Sequence, residues 1–255
     1  PMTAPLRPEF RIVLADDPQD IRRAQRLRYD VFIAELGGTG PDVDHAARLE
    51  RDAFDAHVDH MLLIDENADK LAGVYRMIRP EQATHLGRYY SDSEYDLSPL
   101  RASVKRLREL GRSCLAAEYR GGTAMFHLWN ALAAYVTRHK IDLLFGVASF
   151  RGTDSANLAE PLSLLHHRHL APADLRPVAR APHARDMNML PEASIDRRAA
   201  MVAIPALIKA YLRLGGVVGQ GAYIDHAFNT TDVCLMLDTA QFNTRQARLY
   251  QGTAL

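Results

Sequence analysis

Cysteine is almost absent from this 255-residue sequence, which contains only Cys114 and Cys234. Both lie in apolar runs typical of strands, so we expect buried free thiols rather than a disulfide framework or a metal site. Long hydrophobic runs are absent too, because the runs at 143–150 and 201–208 fall far short of the ~20 residues of a membrane-spanning helix. These absences exclude a disulfide scaffold and a multi-span membrane protein.

Lysine is scarce, and neither sign of charge is in excess. Only four of the 31 basic residues are lysine, and 31 acidic residues bring the formal net charge to zero. A general nucleic-acid binder carries an excess of positive charge, so we expect no nucleic acid among the partners. Arginine suits bidentate binding of carboxylates and phosphates. The preference for arginine therefore indicates anionic ligands, unless it reflects only a biased genome composition.

The sequence does contain enough apolar residues to build a core. Hydrophobic residues make up 47% and charged residues 24%, which is typical of a globular chain and not of a disordered one. At this length we expect a single domain over residues 1–255. Within it, the segment 170–200 is rich in proline and arginine and predicts an irregular insertion or lid. Residues 239–255 are expected to form a C-terminal tail.

Hydrophobic periodicity predicts an α/β order of elements. A helix is expected after Asp17, which can cap it, with Pro18 at the first helical position. The clearest unit is a strand over 112–118, a glycine turn, an amphipathic helix from Met125 and a buried strand over 141–149. The other predicted elements are strands at 10–15, 60–64 and 71–78, helices at 99–110, 154–167 and 204–214, and a closing hairpin over 217–226 and 232–237.

The glycine turn is the first candidate for chemistry. A turn of this kind at a helix N-terminus offers free backbone N–H groups and the positive end of the helix dipole to a phosphate. The alternative is a tight strand-to-helix connection with no ligand. The residues of the turn are Arg120, Gly121, Gly122, Thr123 and Ala124.

Several separate motifs resemble those of one bacterial enzyme family. They include Arg26-Leu27-Arg28-Tyr29-Asp30-Val31-Phe32, Gly73-Val74-Tyr75-Arg76, Leu110-Gly111-Arg112-Ser113-Cys114, Tyr119-Arg120-Gly121-Gly122 and His169-Leu170-Ala171-Pro172. Together they are similar to the bacterial L-ornithine N-alpha-acyltransferases, which have also been labelled hemolysin-like. The resemblance extends from about residue 26 to about residue 238. It implies the GCN5-related N-acyltransferase fold, an α/β mixed twisted sheet flanked by helices.

The resemblance also implies a reaction and its partners. A 3-hydroxyacyl group would pass from acyl carrier protein to the alpha-amino group of L-ornithine, giving lyso-ornithine lipid. The donor carries its own 4'-phosphopantetheine, which the glycine turn would hold, so no separate cofactor is expected. No metal is expected either, because His166, His167 and His169 lack the carboxylate or further histidine that metal ligation usually needs. The alternatives are an acyltransferase on another amine, such as lysine or glutamine, an acyl-homoserine-lactone synthase, a CoA-dependent N-acyltransferase, or a non-enzymatic lipid-binding or hemolysin-like protein.

A second, more distant resemblance points to individual charged residues. Acyl-homoserine-lactone synthases have an Arg-x-x-x-Phe on the first helix, a pair of aspartates three apart, an arginine on a strand and a Glu-x-x-Arg. In this sequence the pattern falls on Arg28 and Phe32, Asp52 and Asp55, Arg76, and Glu109 with Arg112.

Aminolysis of a thioester suggests roles for these residues. The alpha-ammonium must lose a proton before it attacks, and Glu109 is the predicted general base. The alternatives are structural, since Glu109 could pair only with Arg112 and the acidic loop could be a solvated face. The predicted substrate ligands are Arg28, Arg76 and Arg112 for the carboxylate, and Asp52, Asp55 or Asp59 for the second ammonium.

The partners imply two surfaces. Acyl carrier proteins are acidic, so a basic docking face is expected, and a lipid product must leave into a bilayer. The helix predicted around 201–214 would lie in the membrane interface, unless its apolar face packs on the sheet. Because the first ten residues contain no apolar signal core, we expect a cytoplasmic protein at the inner face of the membrane. The predicted docking patch is Arg101, Lys105, Arg106 and Arg108.

Overall fold

The computed structural model describes residue 4 and residues 6–241 of the chain. Its helices are α1 (Pro18–Arg28), α2 (Pro80–Leu86), α3 (Ser98–Ala102), α4 (Ala124–His139), α5 (Ala159–His169), α6 (Arg197–Ala203) and α7 (Ala206–Arg213). Its strands are β1 (Phe10–Leu14), β2 (Asp59–Asp65), β3 (Lys70–Ile78), β4 (Tyr95–Asp96), β5 (Leu107–Leu115), β6 (Leu143–Arg151), β7 (Val178–Ala179), β8 (Ala184–Arg185), β9 (Val217–Val218), β10 (Ala222–Asp225) and β11 (Thr230–Asp238).

One large mixed sheet organises the molecule. Its strands run in the order β1-β2-β3-β5-β6-β11-β10-β8, with β9 also paired to β11. Among these strands only β5 and β6 are parallel neighbours, because α4 connects them as a crossover. This arrangement confirms the α/β mixed sheet flanked by helices.

Helices and loops cover both faces of the sheet. Alternate residues of a strand point to opposite faces, and in β3 the side chains of Tyr75 and Met77 face α4 and α7. The opposite face packs against α1 near β2 and against residues 80–102 near β5 and β6. The core residues that these helices and loops contribute include Leu128, Leu132, Ile208, Ala24, Leu27, Tyr95, Leu97 and Leu100.

The first helix begins as its sequence predicts. The Asp17 carboxylate accepts hydrogen bonds from the backbone N–H groups of Gln19 and Asp20, at 2.7 and 3.1 Å, and Pro18 occupies the first helical position. After Arg28 the chain continues as a π-helix over Tyr29–Glu35. The wider turn lies directly beside the charged site described below, as π-helical turns frequently do.

The helix predicted over 99–110 is wrong. The helix α3 ends at Ala102, and β5 starts at Leu107, so Glu109 lies on a central strand. Basic residues made this segment look like a solvated helix, whereas Arg108 and Glu109 are both buried. Pairing of β5 with β3 and β6 outweighs the local preference, as is common for strands.

For residues 201–214 the structure supports the alternative in which the apolar face packs on the sheet. Two helices, α6 and α7, meet at Ile204 and Pro205, because proline disfavours a helical conformation in the residue before it. Ile204, Ile208 and Tyr211 are buried in the core, so this face packs on the sheet. Among the helices of the described residues, none combines the length with the apolar character that spanning a bilayer requires.

The segment 170–200 is largely irregular, as predicted. It contributes the two-residue strands β7 and β8 and two single 3-10 turns before α6 begins, and β8 extends the large sheet beside β10. Movement of this segment as a lid stays a prediction. Of the predicted tail over 239–255, everything after Gln241 lies outside the described residues.

Candidate active site

A closed ring of six alternating charges lies between α1, β3 and β5. Three arginines come from these elements, and three carboxylates come from the loop that precedes β2. The Arg28 guanidinium contacts Glu50 and donates to Asp55 at 2.7 Å, and Arg76 donates to Asp52 and Asp55 at 2.7 and 3.0 Å. Arg112 closes the ring through Glu50 at 3.1 Å and Asp52 at 3.3 Å. The order around the ring is Arg28, Glu50, Arg112, Asp52, Arg76 and Asp55.

A β-bulge aims Arg112 into this ring. Arg76 pairs with Gly111, and Val74 pairs with Cys114, so two residues of β5 lie opposite one residue of β3. Arg112 has a positive φ of 48°, an unusual conformation for a residue with a side chain. The bulge therefore turns the guanidinium away from the regular alternation of the strand.

The charges of the ring satisfy one another. Burial raises the pKa of Asp55, but the neighbouring Arg28 and Arg76 outweigh it and hold that pKa well below its usual range. The pKa of Asp52 is also lowered, because Arg76 and Arg112 together outweigh its burial. Gln25 and the backbone N–H of Asp52 donate further hydrogen bonds to Asp55. The six formal charges sum to zero, which lowers the cost of burying them.

The predicted substrate ligands are thus brought together, but they bind one another. The ring holds the three arginines together with Asp52 and Asp55, and it adds Glu50, to which the sequence assigned no role. Only two members reach the surface, since the side chains of Asp52 and Arg112 are 20% and 11% exposed. Asp59 lies outside the ring and pairs with Arg79 at 3.0 Å. Binding of an acceptor by the deeper members would require breaking buried ion pairs, so the Arg112 edge is the accessible part.

Two aromatic rings border that accessible edge. The Arg112 guanidinium carbon lies 4.6 Å from the ring centroids of Tyr90 and Phe228. Burial raises the pKa of Tyr90 to about 12, so its hydroxyl is neutral at physiological pH. The aromatic rings and the guanidinium together form a cation–π stack. Phe228 comes from the turn between β10 and β11, whose contribution no motif in the sequence indicated.

Glu109 is buried beside the ring and holds a neighbouring segment. Its two carboxylate oxygens accept hydrogen bonds from the backbone N–H groups of Tyr90 and Ser91, both at 2.8 Å. Burial raises the pKa of Glu109. The residue therefore anchors the 3-10 turn over Tyr90–Ser93 to the sheet. Its role as a base stays a prediction.

The parallel strands β5 and β6 separate just after Glu109. They pair only from Leu107 with Leu143 to Glu109 with Phe145, although both strands run six residues further. At the point of separation Gly146 lies against β5, because a Cβ at this position would sit 2.0 Å from the Leu110 carbonyl oxygen. Beyond it the facing backbone groups of β5 and β6 are not paired with each other. This wedge can accept a linear ligand with amide groups.

The N-terminus of α4 lies at the open end of the wedge. Gly121 has a φ of +78°, which glycine adopts without strain. The first backbone hydrogen bond of the helix runs from His127 N to Thr123 O, and no side chain caps the helix. A helix N-terminus without a side-chain cap presents backbone N–H groups and the positive end of the helix dipole. Arg120, expected to add charge to this site, pairs instead with Glu35 through hydrogen bonds of 2.5 and 2.8 Å.

Comparison with known proteins gives the family. Residues 27–130 match the Acetyltransferase (GNAT) domain. The chain is 55% identical over 252 residues to an L-ornithine N(alpha)-acyltransferase of Rhodobacter capsulatus, covering 97% of this chain and 96% of that protein. An L-ornithine N(alpha)-acyltransferase of Agrobacterium fabrum is 38% identical, with 94% and 85% covered. The chain belongs to the L-ornithine N(alpha)-acyltransferase family. It is an N-acyltransferase, which excludes the non-enzymatic alternative.

Solved structures share the fold of this N-acyltransferase. The N-acyl amino acid synthase FeeM from uncultured soil microbes has a TM-score of 0.55 at 11% identity and covers 94% of this chain and 96% of its own. The AHL synthase LasI has a TM-score of 0.51 at 15% identity, with 91% of each chain covered. At these identities the similarity concerns the fold alone.

The predicted carrier-protein patch is corrected by the structure. Arg108 is buried, where its guanidinium donates to the Tyr135 hydroxyl and stacks over that ring. Arg101 pairs with Asp92 at 2.5 Å. Lys105 lies 3.8 Å from Asp238, and Arg106 is exposed. The helix that was expected to present these side chains together is absent from residues 103–110, so the four do not form one basic face.

Proposed function

We propose that this enzyme transfers a 3-hydroxyacyl group from the 4'-phosphopantetheine arm of acyl carrier protein to the alpha-amino group of L-ornithine. The product is lyso-ornithine lipid. Supporting the acceptor are the names of the relatives, which match the chain over nearly its full length. The observation that carries the proposal is the wedge between β5 and β6 with the α4 N-terminus at its open end.

The wedge suits the donor arm. Phosphopantetheine has two amide groups, which can pair with the free backbone groups of β5 and β6 as an added strand would. Its phosphate would then lie at the N-terminus of α4, which no side chain caps, beside Gly121 and Gly122. This placement brings the thioester toward the narrow end of the wedge, near Glu109 and Arg112.

The chemical step is a direct aminolysis. The neutral amine attacks the thioester carbonyl, a C–N bond forms, the C–S bond breaks, and the thiol leaves with a proton. One proton from the acceptor's ammonium must first pass to a base, directly or through water. We assign this role to Glu109, because it is the carboxylate at the narrow end of the wedge, and its raised pKa makes it more basic than an exposed glutamate.

A covalent acyl-cysteine is not favoured by the environment of either thiol. Cys114 and Cys234 are both buried. Burial raises the pKa of Cys114 to about 12 and shifts the pKa of Cys234 upward as well. Because the thiolate is the nucleophile, neither side chain supplies one near neutral pH. Direct transfer from donor to amine needs no such intermediate.

The experiment measures thiol release from 3-hydroxyacyl carrier protein with and without L-ornithine, lysine, glutamine or homoserine lactone precursors. The proposal predicts release that depends on ornithine and is faster with acyl carrier protein than with the corresponding acyl-CoA. Release with another acceptor but not with ornithine would overturn the assignment of the substrate. Association with the inner membrane surface, expected because the product is amphiphilic, is tested separately by sedimentation with anionic vesicles.

A further inference from the structure

Three carboxylates outside the charge ring converge beside it. Glu94 follows the turn that Glu109 anchors, Asp225 ends β10, and Asp232 lies on β11 across the same hairpin. One oxygen from each carboxylate lies within 4.8 Å of the other two. We call these residues the acidic triad. Nothing in the catalytic step described above uses them.

The carboxylate oxygens of the triad outnumber the hydrogen-bond donors that surround them. Glu94 is only 3% exposed, and no N–H or hydroxyl donor outside the triad reaches either of its carboxylate oxygens. Burial beside Asp232 and Asp225 raises the pKa of Glu94 well above its usual range, so Glu94 shares a proton with Asp232 until a cationic donor takes its place. Asp232 accepts from the hydroxyls of Ser149 and Thr230, at 2.6 and 2.8 Å. A buried carboxylate without a partner is costly. The arrangement is therefore incomplete, and a cationic donor would complete it.

The triad adjoins the accessible edge of the ring. Glu94 comes four residues after Tyr90, which stacks on Arg112, and Asp225 accepts a hydrogen bond from the backbone N–H of Phe228 at 3.0 Å. Electrostatic interaction with Arg112 reaches both Glu94 and Asp225. Asp225 is only partly buried, whereas Glu94 and Asp232 are buried. A ligand held at Arg112 can thus extend past Asp225 toward Glu94.

We propose that the acidic triad binds the side-chain ammonium of the acceptor amino acid and so selects a diamino acid. This inference rests on the proposed function. An alkylammonium donates three hydrogen bonds, one for each carboxylate of the triad. The carboxylates first expected in this role are occupied, because Asp52 and Asp55 belong to the ring and Asp59 pairs with Arg79.

A divalent cation is the competing ligand for three carboxylates. Calcium takes about six to eight oxygens, and magnesium demands a near-octahedral shell of about six. The triad supplies three side chains, one of which already accepts two hydroxyl hydrogen bonds. A single positive charge with three donors matches this set better than a doubly charged ion.

The test compares L-ornithine with L-norvaline, which has the same carbon chain without the second ammonium. In the wild-type enzyme we expect kcat/KM for ornithine to exceed that for norvaline by about 100-fold or more, since a site with buried polar groups rejects a ligand that leaves them unpaired. Glu94→Gln and the less buried Asp225→Asn should each lower kcat/KM for ornithine at least about 10-fold, mainly through KM. The kcat/KM for norvaline should fall much less, so that the preference for ornithine over norvaline shrinks at least about 10-fold in each variant. Glu66→Gln, an exposed carboxylate paired with Arg11 at the far edge of the sheet, serves as the control.

Three results would overturn the inference. The first is that Glu94→Gln and Asp225→Asn both fold but lose activity with ornithine and with norvaline equally. That result marks the triad as structural. The second is loss of wild-type ornithine selectivity on chelation and its return with Mg²⁺ or Ca²⁺, which marks a metal site. The third is a wild-type enzyme that does not acylate ornithine at all. That result removes the proposed function itself, whereas the first two leave it standing.

Discussion

Single residues explain why the positive charge of this chain is carried by arginine. Arg28 binds Glu50 through one side of its guanidinium and Asp55 through the other, while Arg76 and Arg112 each bridge two carboxylates. A planar group with five donors can span two acids in this way, and an ammonium on a flexible stem cannot hold the same geometry. The ring therefore holds Arg112 and Asp52 in place at the accessible edge.

Removing one member of the ring should be costly to the fold. Arg28→Met removes one of the two arginine partners of Glu50 and of Asp55, both buried, and we expect a loss of about 3–5 kcal/mol in the free energy of unfolding. Denaturant titration measures it. The control is Arg48→Met, which removes an exposed pair with Asp30 and should cost about 0–1 kcal/mol. Similar losses in the two variants would contradict the account of the ring.

The pH dependence of stability follows from Asp55. Neighbouring arginines hold the pKa of Asp55 well below its ordinary value. A depressed pKa contributes stability that is fully present above the ordinary value of about 4 and is lost as pH falls through the lower one. We expect wild type to exceed Asp55→Asn by a constant unfolding free energy above about pH 5. The difference should shrink below that pH, and a difference that grows toward acid would refute the assignment.

Glu109→Gln tests the predicted base. We expect turnover to fall by about 100-fold or more, and raising the pH should recover part of it because more of the acceptor amine becomes neutral. If the substitution only weakens the hydrogen bonds that Glu109 accepts from the backbone N–H groups of Tyr90 and Ser91, raising the pH should recover no activity. Rate profiles from pH 6 to about 10, together with melting curves, separate the two roles. A pH profile parallel to that of wild type would leave Glu109 as an anchor.

Among the elements, the wedge depends on one glycine. Gly146 allows β6 to touch the Leu110 carbonyl, and a Cβ there would sit 2.0 Å from that oxygen. We expect Gly146→Ala to cost about 1–3 kcal/mol of stability and to impair use of the acyl donor more than use of the acceptor. Gly111→Ala is the matched control for stability, since no atom lies within 4 Å of its Cβ position. Equal melting temperatures for the two variants would contradict this role.

At the same scale, hydrophobic periodicity predicted most of the elements but not those that tertiary contacts decide. The first strand, the capped helix α1, the pair β2 and β3, and the sequence from β5 through α4 to β6 follow from local pattern. The start of β5 does not, because the buried side chains of Arg108 and Glu109 form hydrogen bonds with groups that lie far away in the sequence. The site shows the same limit. Five of the six ring members were predicted from the sequence. Their mutual pairing, the part played by Glu50 and the acidic triad arise only when distant segments meet.

Across the whole molecule, the zero net charge is accompanied by many ion pairs between arginines and carboxylates of the same chain. Much of the basic set is engaged in ion pairs. If acyl carrier protein is the donor, we expect its attraction to depend on a few exposed groups such as Arg106 rather than on overall charge. The mixed sheet brings the donor wedge, the Arg112 edge and the acidic triad to neighbouring positions. We expect this arrangement to place the donor, the amine and the second ammonium next to one another.

The position of the acyl group on the product tests this account most directly. The enzyme is incubated with 3-hydroxyacyl carrier protein and L-ornithine labelled with ¹⁵N at the alpha position, and the product is fragmented in a mass spectrometer. The account predicts one acyl group, bound to the labelled nitrogen, formed in equal amount to the thiol released. Acylation of the unlabelled side-chain nitrogen, or release of thiol with free fatty acid as the product, would contradict it.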